Sequence, residues 1–195
     1  MSETNVEYLE KNWGTYEKLC RRLSDPNLDQ LLSEMGERIV MCPASPKVDQ
    51  FNCEPGGLVK HSLDTVMTMR SLNKSLDLNI PTASIIKVGL LHDLGKVGDL
   101  ESDYFITQDS EWHRDKLGQL YKYNEDLQKM SVSHRTLYLL QHYGVKLTTN
   151  EWLAVQLSQG SHFEENRFYV HHEPSLAMLL QMAKKAAIHK CKITE

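Results

Sequence analysis

Two short stretches of the 195-residue chain carry side chains able to do chemistry. "GGLVKHS", residues 56–62, places His61 about one turn into a stretch of helical spacing, directly after two glycines. "LLHDLGK", residues 90–96, places His92 beside Asp93 at the end of an apolar run, with Gly95 and Lys96 following. Two adjacent polar side chains at the end of a buried helix must be satisfied, because an unpaired ionised carboxylate there would cost many kcal/mol or lose its charge. One solution is a mutual hydrogen-bond network of His61, His92 and Asp93. The other is a divalent cation, which takes neutral imidazoles and an ionised carboxylate together. Gly95 lets the chain turn sharply after the helix. Lys96 follows Asp93 closely enough to reach an anion bound at such a metal.

The elements that must position these residues are helical. Residues 4–23 carry Tyr8, Leu9, Trp13, Tyr16, Leu19 and Leu23 at a period near 3.6. "SDPN", 24–27, is a turn, and 28–41 form a second helix through Leu28, Leu31, Leu32, Met35 and Ile39. Residues 42–57 hold three of the six prolines and form a loop. A third helix over about 57–77 carries His61. A fourth runs from Thr82 to about Leu94, with no clean polar face, so it is central and buried. Residues 98–130 are polar, with Gly118 between "WHRDKL" and "QLYKY", and predict a loop followed by a short hairpin packed by Trp112 and Tyr121. Helices resume at about 131–143, 149–158 and 173–190, and 160–172 is irregular. The basic stretch from Lys184 to Lys192 is read as a solvated helix end, where lysines suit the C-terminal dipole.

Composition narrows the function classes. The net charge of −4 argues against a dedicated duplex-nucleic-acid binder but leaves room for a small phosphorylated substrate, which needs only a local positive site. The four cysteines form no C-x-x-C pair, so a zinc ribbon is not expected. No apolar run approaches the ~18 residues of a membrane span, and the first residues lack the layout of a signal peptide. The expectation is a cytoplasmic protein with reduced thiols and no membrane partner.

Taken together, G-G-L-x-x-H-S followed by L-L-H-D-L-G-K in a helical chain resembles the HD-domain superfamily of metal-dependent phosphohydrolases. The two motifs cover about 56–99. "SVSHRTLYLL", 131–140, and "TTNEWLAVQLSQG", 148–160, also look like helices of small bacterial and phage HD proteins. The resemblance implies an all-α HD-type helical bundle over 51–195, with the short β-hairpin read within 98–130 as an insertion; residues 1–50, which carry no such resemblance, are expected to form an N-terminal helical extension packed on that core. It implies His61, His92 and Asp93 as ligands of a divalent metal (Mn, Co, Ni, Mg or Fe), with Asp93 and Lys96 catalytic. The substrate class is a nucleotide-like phosphate ester or anhydride.

The family's last aspartate lies in a late helix, in a pattern like L-L-x-x-A-D. The matching stretch here is "LLQMAKK", 179–185, and the aspartate position is Lys184. Many relatives also carry a histidine where this chain has Ser158. Three explanations follow for Lys184. Another residue supplies the fourth ligand, from His162, Glu164, Glu165, His171 or His172. Three protein ligands suffice, completed by water and substrate oxygens. Or catalysis is lost and the fold binds a nucleotide as a sensor or sequestering module, with Lys96 and Lys184 as anion contacts. "HFEENRFYVHHE", 162–173, is a candidate pocket wall, with Arg167 as a substrate-binding cation beside Lys96 and Lys184. Asp64 and Asp99 are candidates to support the ligands or act as base. His113, His134 and His142 are read as surface or network residues.

Overall fold

The computed structural model describes residues 3–194, and side chains from 6 to 191. The chain is mostly helical: α1 (Glu3–Arg21), α2 (Pro26–Met41), α3 (Gly57–Ser75), α4 (Thr82–Leu91), α5 (Glu111–Leu117), α6 (Val132–His142), α7 (Thr149–Gln156) and α8 (Ser175–Thr194). Short 3₁₀ turns cover Leu94–Lys96 and Glu164–Tyr169. The strands β1 (Phe105–Thr107) and β2 (Tyr121–Tyr123) pair antiparallel, with Phe105 opposite Tyr123 and Thr107 opposite Tyr121. The all-α class with a small hairpin is therefore as the sequence predicts.

Local chemistry sets most boundaries. Asp25 caps α2 by accepting from the Asn27 amide, with Pro26 at the first helical position, where its missing N–H is not needed. Thr148 and Glu151 cap α7 reciprocally. The fourth helix ends three residues earlier than its periodicity suggests: α4 stops at Leu91, with His92 as its C-cap. One expectation fails: "WHRDKL" belongs to α5, a helix between the two strands, rather than to the hairpin. Ser110 caps that helix and Gly118 ends it in the left-handed conformation, so local capping overrides the hairpin reading. Trp112 on α5 is exposed rather than packed.

The apolar stripes meet in two clusters. One joins Tyr16, Leu28, Leu31, Met35 and Ile39 of the first two helices to Leu90, Leu91, Leu139 and Leu140. The other joins Met69, Ile85 and Val88 to Ala154, Leu157, Leu180 and Ala183. Helices α3 and α4 contribute to both, which is why α4 has no polar face. They approach closely at Gly89, where a Cβ would stand 2.6 Å from Val66 Cγ2. His61 and the His92–Asp93 pair are carried by these two helices. Helix α8 packs on α3, and its buried stripe runs Leu176, Leu180, Ala183, Lys184 and Ala187. Among the described residues no helix is long and apolar enough to cross a membrane.

Candidate metal centre

Three glycines shape the backbone around the two motifs. Gly56 adopts φ +84° ahead of α3, a conformation that favours glycine. A Cβ on Gly57 would overlap the Asn52 carbonyl oxygen, so the 42–56 loop folds tightly onto the start of α3. A Cβ on Gly95 would overlap the Val132 carbonyl oxygen, so the turn after Asp93 presses against the start of α6. The Gly95 amide donates to Thr136 Oγ1 at 2.8 Å, which locks that contact.

His61, His92 and Asp93 converge, with one donor atom from each lying within 4.8 Å of the others. Asp93 Oδ2 is 3.6 Å from His92 Nε2 and 4.0 Å from His61 Nε2. All three side chains are buried to 1% exposure or less. His61 Nε2, His92 Nε2 and Asp93 Oδ2 have no hydrogen-bond partner. Buried polar atoms are normally paired, so two imidazole nitrogens left without a partner beside a carboxylate oxygen fit a cation between them. Ligand bonds of ~2.1 Å in a tetrahedral arrangement would set donor atoms ~3.4 Å apart, so the triangle has to draw together around a bound ion.

The histidines are in the form a metal requires. His92 Nδ1 lies 3.0 Å from the Gly89 carbonyl oxygen, which can only accept, so Nδ1 carries the proton and Nε2 offers its lone pair. Burial pushes the His92 pKa down to about 4 and holds His61 well below its ordinary value. Both are neutral at neutral pH.

Asp93 divides its two oxygens. Oδ1 accepts from Lys184 Nζ and from Gln159 Nε2, each at 2.8 Å. Oδ2 faces the histidines and forms an ion pair with Lys96 Nζ, 2.8 Å away. Lys96 donates instead to the Ala44 carbonyl and lies over the Phe51 ring. Burial alone would raise the Asp93 pKa; Lys184 and Lys96 together outweigh it and hold the carboxyl well below the usual range. Burial lowers the Lys184 pKa, and its pairing with Asp93 does not fully offset that loss of hydration.

Lys184 therefore neither turns away nor ends a solvated stretch: it is buried and bonded to Asp93. The proposed replacements for a fourth ligand are not brought in. His162, Glu164, Glu165, His171 and His172 are exposed, and among the described residues the only such grouping is His61, His92 and Asp93. Arg167 is exposed on the 3₁₀ turn away from the cluster. That segment is anchored instead by buried Asn166, which donates to the Gly160 carbonyl and accepts from Gln156. Asp99 accepts from the Glu101 and Ser102 amides to close a turn, and Asp64 pairs with Lys60.

A cavity of about 430 Å³ adjoins the cluster, lined in part by Lys96, Lys184, Lys185, Phe51, Tyr104 and Tyr123. Ser158 and Gln159 also line it, whereas the three candidate ligands do not. A second cavity, about 640 Å³, shares only Lys96 with the cluster. Gln159 is the site residue that sequence reasoning missed; no motif announces a glutamine just past α7. Lys184 had a signal, since it falls in step with Leu180, Ala183 and Ala187 on the apolar stripe of α8.

No family model, no curated protein and no solved structure matches this chain.

Proposed function

We propose that the chain is an HD-type, metal-dependent phosphohydrolase acting on a nucleotide-like phosphate. The observation that carries the reading is the buried convergence of two imidazole nitrogens without partners, His61 Nε2 and His92 Nε2, on the carboxylate oxygen Asp93 Oδ2. A divalent ion held by these three would lower the pKa of a bound water and polarise a phosphoryl oxygen.

The rest is done by the chain's own residues. The Gly89 carbonyl fixes the His92 tautomer, so that Nε2 is free to ligate. Gln159 and Lys184 hold Oδ1, which leaves Oδ2 as the ligating oxygen. Lys96 and Lys184 present their ammoniums both to Asp93 and to the cavity, where they can take up phosphate oxygens and stabilise charge that develops during transfer. Phe51, Tyr104 and Tyr123 offer aromatic faces on the same cavity, suited to a base.

A second reading has its own observation. Asp93 is already neutralised by Lys96 and Lys184, each 2.8 Å away, as a metal-free anion-binding module would require. Phosphate release across a panel of nucleotides and cyclic dinucleotides, with Mn²⁺, Co²⁺, Ni²⁺ or Mg²⁺, separates the two. Hydrolase function predicts metal-dependent turnover that His92→Gln abolishes. Nucleotide binding with no turnover under any metal would favour the sensor or sequestering module.

A further inference from the structure

The ligand cluster carries an unusual charge for a cation site. Asp93 is its one carboxylate, and a histidine ligates a metal as the neutral imidazole. Among the described residues Asp93 is also the one carboxylate within ion-pair distance of Lys96 or Lys184. One carboxylate against two ammoniums leaves a net positive charge before any cation arrives. A divalent cation added alone would raise that charge to three in a buried space, with no further acid to offset it. Such a state is strongly disfavoured where desolvation is severe.

Access points the same way. Lys96 and Lys184 both line the cavity, and each ammonium lies 2.8 Å from Asp93. For Asp93 to give its lone pairs to a cation, its ammonium partners need another anion. A phosphate in the cavity is such a partner, within reach of both lysines while they still line it. Lys185, exposed at the rim, adds a third positive charge facing that anion.

We propose that Lys96 and Lys184 make the site accept its divalent cation only together with a phosphate, so that the two bind as a mutually dependent pair. This rests on the metal site proposed above. The lysines exchange carboxylate for phosphate as Asp93 exchanges ammonium for metal. Binding of each is then coupled to the other by the same factor, as linkage requires.

The test is a set of binding titrations on the full chain. Free Mn²⁺ is read from its paramagnetic resonance signal, with and without inorganic phosphate, and phosphate binding is measured by calorimetry with and without Mn²⁺. The expected result is at least a tenfold tightening of Mn²⁺ by phosphate, matched by an equal tightening of phosphate by Mn²⁺. Lys184→Met, which removes one ammonium, is expected to tighten Mn²⁺ about tenfold in the absence of phosphate and to shrink the coupling. Equal Mn²⁺ affinity with and without phosphate would overturn the coupling and leave the metal site standing. Phosphate binding with no Mn²⁺ bound under either condition would overturn both. The two wild-type titrations decide the matter even if the variant does not fold.

Discussion

Lys184 Nζ lies 2.8 Å from Asp93 Oδ1, joining α8 to the residue that follows the cap of α4 across 91 positions of sequence. The contact occupies one oxygen of the carboxylate and leaves the other to face His61 and His92. Its two partners are not energetically equivalent. Asp93→Asn strands two buried ammoniums, and loss of one member of a buried pair typically costs about 3–5 kcal/mol. Lys184→Met leaves Asp93 paired with Lys96 and bonded to Gln159, so it should cost less than Asp93→Asn. Urea unfolding of both variants checks this; equal losses would contradict it.

Acid should destabilise the metal-free protein in a defined window. Folded His92 takes up its proton only near pH 4, whereas the unfolded chain does so at about 6.5. Between those values the unfolded state binds more protons, so stability rises with pH. The contribution is complete above about pH 6.5 and is lost as pH falls toward 4, on the order of 3 kcal/mol in all. His61, also depressed by burial, acts in the same direction. The Asp93 contribution persists until the pH falls below the ordinary carboxylate range. Urea midpoints measured in chelator at pH 7 and pH 5 should differ, and His92→Gln should reduce the difference. A midpoint independent of pH over this range would contradict the burial argument.

The turn after Asp93 tolerates no side chain at Gly95. Its Cβ would overlap the Val132 carbonyl and stand 2.9 Å from the Thr136 amide, both of them backbone. Gly95→Ala should cost about 1–3 kcal/mol, the range for overpacking a tight core. It should also weaken Mn²⁺ binding in the presence of phosphate, because the shift is transmitted to Asp93 two residues away. Unchanged stability with unchanged metal affinity would show that the turn does not position the carboxylate.

Tyr123 tests whether the cavity wall reads a base. It is 53% exposed, so truncation should leave the fold intact. Tyr123→Ala should weaken a nucleotide ligand by about 1–3 kcal/mol, the worth of one stacked base, and leave inorganic phosphate affinity unchanged. Equal effects on both ligands would place the base elsewhere.

Much of the scaffold was legible because it is written in local terms. The 3.6-residue stripes, the Asp25 and Thr148 caps and the largely apolar α4 each follow from neighbouring residues. Residue types left the meeting of His61, His92 and Asp93 open between a hydrogen-bond network and a metal, and the HD resemblance implied the metal. What was illegible depends on contacts between distant elements. Gln159 reaches Asp93 from beyond α7, and nothing in its neighbours marks it. Lys184 was singled out through the resemblance, as the residue at the aspartate position and a candidate anion contact, but its burial and its bond to Asp93 were not, although its place on the stripe of α8 argued for burial. The segment 162–173 looked like a ligand source because it is rich in acids and histidines. Its one buried side chain is Asn166, which uses its amide to tie down the loop.

The central claim is that His61, His92 and Asp93 together hold a divalent ion. The direct measurement is anomalous X-ray diffraction from crystals soaked with Mn²⁺ and phosphate, at energies on either side of the manganese edge. The account predicts an anomalous peak within bonding distance of His61 Nε2, His92 Nε2 and Asp93 Oδ2, with Lys184 and Lys96 turned onto the phosphate. No peak at that position, with phosphate bound and both ammoniums still on Asp93, would contradict it.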